Sequence, residues 1–153
     1  MNVAVRASQT ATTNGVVAWR YWRIDGARLQ SPLTGDPLPA TGQLIAACHR
    51  PHLPPHPACQ CGVSLYRDPA DLRRVLDMLD PQQFVATVGH AETPVIPDPV
   101  GQLYRLGATS TVWPAAHRTR TYAVTMIYTE TPVTLDYALP VTESWDEFVE
   151  SAT

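Results

Sequence analysis

All three cysteines of this chain, and three of its five histidines, fall within one short run, Cys48-His49-Arg50-Pro51-His52-Leu53-Pro54-Pro55-His56-Pro57-Ala58-Cys59-Gln60-Cys61-Gly62. Thiolate and imidazole are the preferred donors to zinc, and four of them in a tetrahedron make a closed structural site. The Cys59-Gln60-Cys61-Gly62 tail can bring two sulfurs to one point, because glycine permits the tight turn that aims both inward. Prolines at 51, 54, 55 and 57 remove backbone donors and restrict the unfolded loop, which lowers the entropy lost when the loop closes. A segment of this kind cannot be ordered by a hydrogen-bonded ladder. A bound ion can order it.

The run offers six candidate donors for four places. Cys59 and Cys61 form one pair, Cys48 is the third donor from across the loop, and the fourth is His52 or His56; His49 adjoins Cys48 and is set aside. Zinc is the expected cofactor. A catalytic zinc needs an open position with an acid or base beside it, and the run contains neither Asp nor Glu, so the expectation is a structural ion. The metal-free alternative is a loop of free thiols and exposed histidines. A cysteine nucleophile would need a base and an orienting partner, which a proline-locked loop supplies poorly. His90 and His117 stand alone on strand-like or loop segments and read as surface or core histidines.

A chain of 153 residues with 44% apolar content can bury the core of one ordinary domain. Residues Met1 to Gly15 lack the apolar core of a signal peptide, and no run approaches the roughly 20 apolar residues of a membrane span. The expected location is therefore cytoplasmic, with no membrane contact. In a reducing compartment clustered cysteines serve metals more often than disulfides.

Val16 to Ile24 is rich in β-branched and aromatic residues and predicts a strand, with Trp19 and Tyr21 on one face and Arg20, Trp22 and Ile24 on the other. Asp25-Gly26 marks the turn after it, and Leu44 to Ala47 and Val63 to Tyr66 flank the ligand run as short apolar segments. Asp68 as N-cap, Pro69 at the first helical position and the stripe Leu72, Val75, Leu76, Leu79 predict an amphipathic helix that Asp80-Pro81 stops. Strands are expected at Phe84 to Val88, within Gln102 to Val112, at Thr121 to Thr129 and at Val133 to Leu139. In Thr121 to Thr129, Tyr122, Val124, Met126 and Tyr128 alternate against Ala123, Thr125 and Ile127. Ser144-x-x-Glu147 is a capping box that opens a short terminal helix. Together these elements predict an α+β fold. It is a β-rich single domain over 15–153, with an antiparallel sheet, one amphipathic helix, a short C-terminal helix and a zinc-stapled loop, behind a flexible tail of residues 1–14.

Arginine alternates with aromatics in Trp19-Arg20-Tyr21-Trp22-Arg23, with Arg28 beyond, and Arg118 and Arg120 could extend the patch. Such a face can stack on bases. Against it stands a net charge of −3, where nucleic-acid binders normally carry a basic excess. The competing reading is a core strand whose arginines reach solvent. No Gly-rich phosphate loop and no Ser-His-Asp order is present.

The pieces Trp22-Arg23, Leu29-Gln30-Ser31, Ala46-Ala47-Cys48, His52-Leu53-Pro54 and Cys59-Gln60-Cys61-Gly62-Val63 resemble a family of small actinobacterial and actinophage proteins of uncharacterised function. The resemblance covers about residues 19 to 66, with a weaker echo at Trp113 and near Tyr122. The segment Pro94 to Pro99 is an insertion relative to it. It implies a cysteine-rich site with His52 rather than His56 as the histidine partner, and an actinobacterial or phage origin. The absence of lysine among the eleven basic residues fits a high-GC genome of that kind.

The expected function is that of a non-enzymatic, zinc-stabilised binding or regulatory protein, phage-encoded and acting on a host protein. Sparse charge (16%) with abundant Thr, Tyr and Trp suits a protein–protein surface. A nucleic-acid module using Arg20, Trp22, Arg23, Arg28, Arg118 and Arg120 is the alternative. A metal-dependent hydrolase is the third reading, and it requires an open metal position with a carboxylate such as Asp68 or Glu92 beside it.

Overall fold

The computed structural model describes residues 15–98 and 114–153. The tail expected at 1–14, the strands expected within Gln102 to Val112, and Pro99 and Trp113 lie outside the described residues. In chain order the elements are β1 (Gly15–Asp25), β2 (Arg28–Gln30), β3 (Gln43–Ile45), β4 (Val63–Leu65), α1 (Pro69–Leu76), β5 (Phe84–Glu92), β6 (Ile96–Pro97), β7 (His117–Thr119), β8 (Thr121–Tyr128), β9 (Val141–Thr142) and α2 (Trp145–Glu150). The fold is α+β and β-rich, as its residue patterns predict.

The main sheet runs β2-β1-β5-β8-β3, all antiparallel, and β9 joins β8 in parallel, so the sheet is mixed at this edge rather than purely antiparallel. A second, antiparallel sheet of β4-β7-β6 leans on the first. Trp19 and Tyr66 exchange main-chain hydrogen bonds of 2.9 and 2.7 Å and stitch β1 to the end of β4. No helix among the described residues is long and apolar enough to cross a membrane.

β1 is buried on both faces, which explains why aromatics occur on both of its alternating sets. Trp19 and Tyr21 pack with Leu72, Val75 and Leu76 of α1 and Phe148 of α2. Ala18 and Trp22 pack with Leu29, Leu38, Val85 and Tyr122 on the opposite face. Inside this second core the Trp22 indole N–H donates to Thr87 Oγ1 at 2.9 Å, and Thr87 meets the Tyr122 hydroxyl at 2.8 Å. The polar ends of two buried aromatics are thereby satisfied at one threonine.

The helix caps act as their residues predict. Asp68 accepts from the Ala70 N–H at 2.9 Å, and Ser144 accepts from the Glu147 N–H at 3.1 Å. The return half of the capping box is relayed: Ser144 N–H donates to Thr142 Oγ1 at 3.0 Å, and that hydroxyl donates to Glu147 Oε2 at 2.8 Å.

Three further expectations change. α1 ends at Leu76, short of the expected stop at Asp80-Pro81, and Leu79 packs on the core from the turn that follows. Val133 to Leu139 forms no strand; Leu135, Tyr137 and Leu139 instead pack on the core as irregular chain, with the Tyr137 hydroxyl donating to Leu38 O and accepting from Leu29 N–H, each at 2.9 Å. In β8 the simple alternation also breaks. Tyr122 and Val124 face the Trp22 core, whereas Met126 and Tyr128 face the helices. The cause is a β-bulge: Val88 pairs with Met126 and Gly89 with Val124, which leaves Thr125 as an extra residue on β8. The bulge drives β8 into β5, and a Cβ on Gly89 would lie 2.1 Å from Ala123 O. Glycine is the residue that fits this approach.

Gly89→Ala is therefore expected to cost about 3 kcal/mol or more, since main chain rather than a flexible side chain blocks the methyl group. Chemical denaturation of the variant beside wild type measures this, and a loss below about 1 kcal/mol would contradict the bulge as described.

Candidate metal centre

The ligand run forms an irregular loop between β3 and β4. β3 delivers Cys48, the loop carries His52 and His56 over its prolines, and Cys59-Gln60-Cys61 returns the chain into β4. Gly62 makes that return possible. Its φ of 123° is open to glycine, and a Cβ there would meet Thr119 O at 3.1 Å and Arg118 Cβ at 3.2 Å, so the knuckle lies flat against β7.

The structure brings Cys48, His52, Cys59 and Cys61 together, with one donor atom from each within 4.8 Å of all the others. Cys48 Sγ lies 3.7 Å from Cys59 Sγ, and His52 Nε2 lies 3.3 Å from Cys61 Sγ. Zinc bonds of about 2.3 Å to sulfur and about 2.0–2.1 Å to nitrogen imply tetrahedral edges of about 3.8 Å for S–S and about 3.5 Å for S–N. These two edges match a tetrahedral site, and all four donor atoms lie close enough together to hold a metal ion.

His56 takes a different part. Its ring stacks on that of His52, with centroids 4.3 Å apart, and its Nδ1 accepts from the Ala58 N–H at 3.1 Å. It lies behind His52 and is not one of the four grouped donors. His49 is exposed and is not among the grouped donors. His90 is exposed on β5, and His117 is half-buried on β7, where burial and the nearby Arg67 lower its pKa.

Main-chain donors hold the charge of two sulfurs. Arg50 N–H lies 3.4 Å from Cys48 Sγ, and the N–H of Cys61 bonds the Cys59 sulfur and lowers its pKa. Burial, followed by the neighbouring thiols of Cys59 and Cys48, pushes the Cys61 thiol up to about 11. Three thiols this close cannot all ionise without a compensating charge, and a dication supplies that charge.

The loop is tied to the sheet by Arg118. This side chain is buried, and its guanidinium donates to the carbonyl of Cys61 at 2.8 Å and to the carbonyl of Cys59. Its Nε lies 3.4 Å from Asp98 Oδ1, with both side chains at 5–6% exposure. Arg20 has a similar inward role: it donates to Ser64 O and, at 2.7 Å, to Ser31 Oγ, with its guanidinium 4.4 Å over the Trp22 ring.

These positions bear on the nucleic-acid reading. Arg20, Trp22 and Arg118 are buried, Arg28 pairs with Asp136 at 3.7 Å, and Arg23 covers Phe84. With Arg120 only partly exposed, the set does not form one basic, aromatic face. The arginines turn inward because main-chain carbonyls of β4 and the ligand loop need donors that the proline-rich chain lacks. The inward roles of Arg118 and Asp98 have no local sequence signature. Asp98 is an isolated acid in the Pro94 to Pro99 segment, and only the pairing of β6 with β7 sets it against Arg118. Asp68 caps α1 and Glu92 accepts from the Thr121 hydroxyl at 3.0 Å, so neither joins the donor group.

Comparison with protein-family models, curated proteins and solved structures returns no match, so the site is read from its own geometry.

Arg118→Met should destabilise the protein by about 3–5 kcal/mol, because it leaves Asp98 buried without its cation. Metal affinity should fall with it as the Cys59 and Cys61 carbonyls lose their anchor. Denaturation and metal titration of the variant check both effects, and unchanged metal affinity would refute the anchoring role.

Proposed function

We propose that this chain is a zinc-stabilised binding or regulatory protein without catalytic chemistry of its own, in which a structural zinc ion closes the Cys48–Cys61 loop. The observation that carries the reading is the donor set, three thiols and one imidazole within 4.8 Å of one another with no carboxylate in the group. Soft thiolate-rich sites select zinc among the available divalent ions, and four protein ligands leave no position for a reacting water. This weighs against the metal-dependent hydrolase.

The partner is a protein. Leu33 and Ile45 are 58% and 59% exposed on segments that border one cavity beside the metal loop, and Leu53 is 67% exposed within the loop. Exposed apolar side chains gathered next to a rigid metal knuckle suit a docking surface. The resemblance to actinobacterial and actinophage proteins extends the proposal to a phage-encoded protein acting on a host protein.

Protein purified without chelator should carry about one zinc per chain, and Cys59→Ser should lose it. The loss should lower Tm by about 10 °C or more, at about 2–4 °C per kcal/mol for a domain of this size. Elemental analysis and thermal melts decide this, and a metal-free wild type would refute the reading. Leu33→Asp with Ile45→Asp should leave metal content and Tm unchanged but remove cross-links to the host partner in cells. Cross-links that survive both changes would move the interface elsewhere.

A further inference from the structure

We propose that the cavity between β1 and β3 is a strand-insertion slot, in which an extended, uncharged segment of the protein partner pairs main chain to main chain with both edges. The inference rests on the protein-docking reading above and adds how the partner is held.

Hydrogen-bond alternation defines the first edge. Ile24 N–H donates to Gln83 O at 2.8 Å, so the even-numbered residues of β1 serve β5 and the odd-numbered ones face the other way. On that outer side Trp19 exchanges bonds with Tyr66, and Arg23 lies opposite Gln30 of β2. Tyr21 stands between them. The β1–β2 register, carried on past Gln30, sets Pro32 opposite Tyr21. Proline has no N–H to offer, and the chain turns away there, with Ser31 N–H donating to Asp36 O and Gly35 N–H to Ser31 O. Among the described residues nothing pairs with the main-chain N–H or C=O of Tyr21, although this residue is only 7% exposed. Buried main-chain groups rarely stay unpaired.

The second edge belongs to β3, which ends the main sheet. Gly42 O accepts from Val124 N–H, and Ala46 N–H donates to Arg120 O. Residues 42, 44 and 46 therefore serve β8, and Ile45 turns its N–H and C=O outward. Neither a charge nor a proline guards the stretch Gln43-Leu44-Ile45-Ala46-Ala47, the usual protections of an edge. Tyr21 and Ile45 line one cavity of about 750 Å³, and its rim at Leu33, Ile45 and Ala47 is exposed, which opens it to solvent.

The lining sets the chemistry of the occupant. Its charged residues balance, Arg20 and Arg118 against Asp36 and Asp98, so the slot favours a segment without charge of its own. Leu44 and Ala46 pack toward the Trp22 core, whereas Ile45 is exposed on the opposite side of β3. A strand laid along this edge meets apolar surface with both of its alternating side-chain sets, which suits β-branched residues. Main-chain bonds supply the affinity in this mode of recognition, and side-chain contacts the selectivity.

The test adds acetyl-Thr-Val-Thr-Val-Thr-Val-amide to metal-loaded full-length protein and follows amide hydrogen exchange by NMR. At saturating peptide the Tyr21 and Ile45 amides should both exchange about tenfold or more slowly than in the free protein, while that of Trp19, already bonded to Tyr66, is unchanged. Ile45→Pro removes an outward N–H and leaves the bonds of β3 to β8, so it should weaken peptide binding about tenfold or more with metal content retained. The same peptide N-methylated at alternate residues should bind wild type as poorly. Protection of neither amide, or of one without the other, would overturn the slot, as would equal binding of the N-methylated peptide. Host cross-links lost in the Leu33→Asp, Ile45→Asp variant would then leave the docking reading standing without strand insertion.

Discussion

A buried guanidinium needs partners inside the protein, and Nη1 of Arg118 finds them in the carbonyls of Cys59 and Cys61 while Nε faces Asp98 at 3.4 Å. The rest of the metal loop depends on this grip. The loop has few main-chain donors of its own because proline occupies four of its positions, so its geometry must be imposed from β7. Gly62 lets the knuckle lie close enough for the grip to form. The Arg118 cation is therefore consumed in holding the cysteine loop.

The same logic governs the two-sided burial of β1. A strand covered by α1 and α2 on one face and by the Trp22 core on the other must carry apolar or internally paired groups at every position. Arg20 meets this demand by turning its charge onto Ser64 and Ser31.

Much of this architecture follows from neighbouring residues. The Asp68 and Ser144 caps, the Leu72-Val75-Leu76 stripe, the split of Trp19 and Tyr21 from Arg20 and Trp22, and the set Cys48, Cys59, Cys61 are all short-range patterns. The choice of His52 over His56 is not of that kind. Both sit in the same proline-rich stretch, and only the folded loop stacks one ring behind the other.

What the sequence alone determined is thus the fold class, the helix N-termini and the chemistry of the donor set, since capping, periodicity and ligand type are properties of residues a few positions apart. Tertiary structure decided the bulge that turns Met126 and Tyr128 toward the helices, the irregular course of residues 133–139, and the inward direction of Arg20 and Arg118. Each of these depends on what a strand meets from far along the chain: Thr125 against Val88, Tyr137 against Leu38, Arg118 against Cys59 and Asp98. Local preference cannot encode a partner that arrives only on folding. For a buried charge or an extra strand residue, that partner determines which way the side chain points.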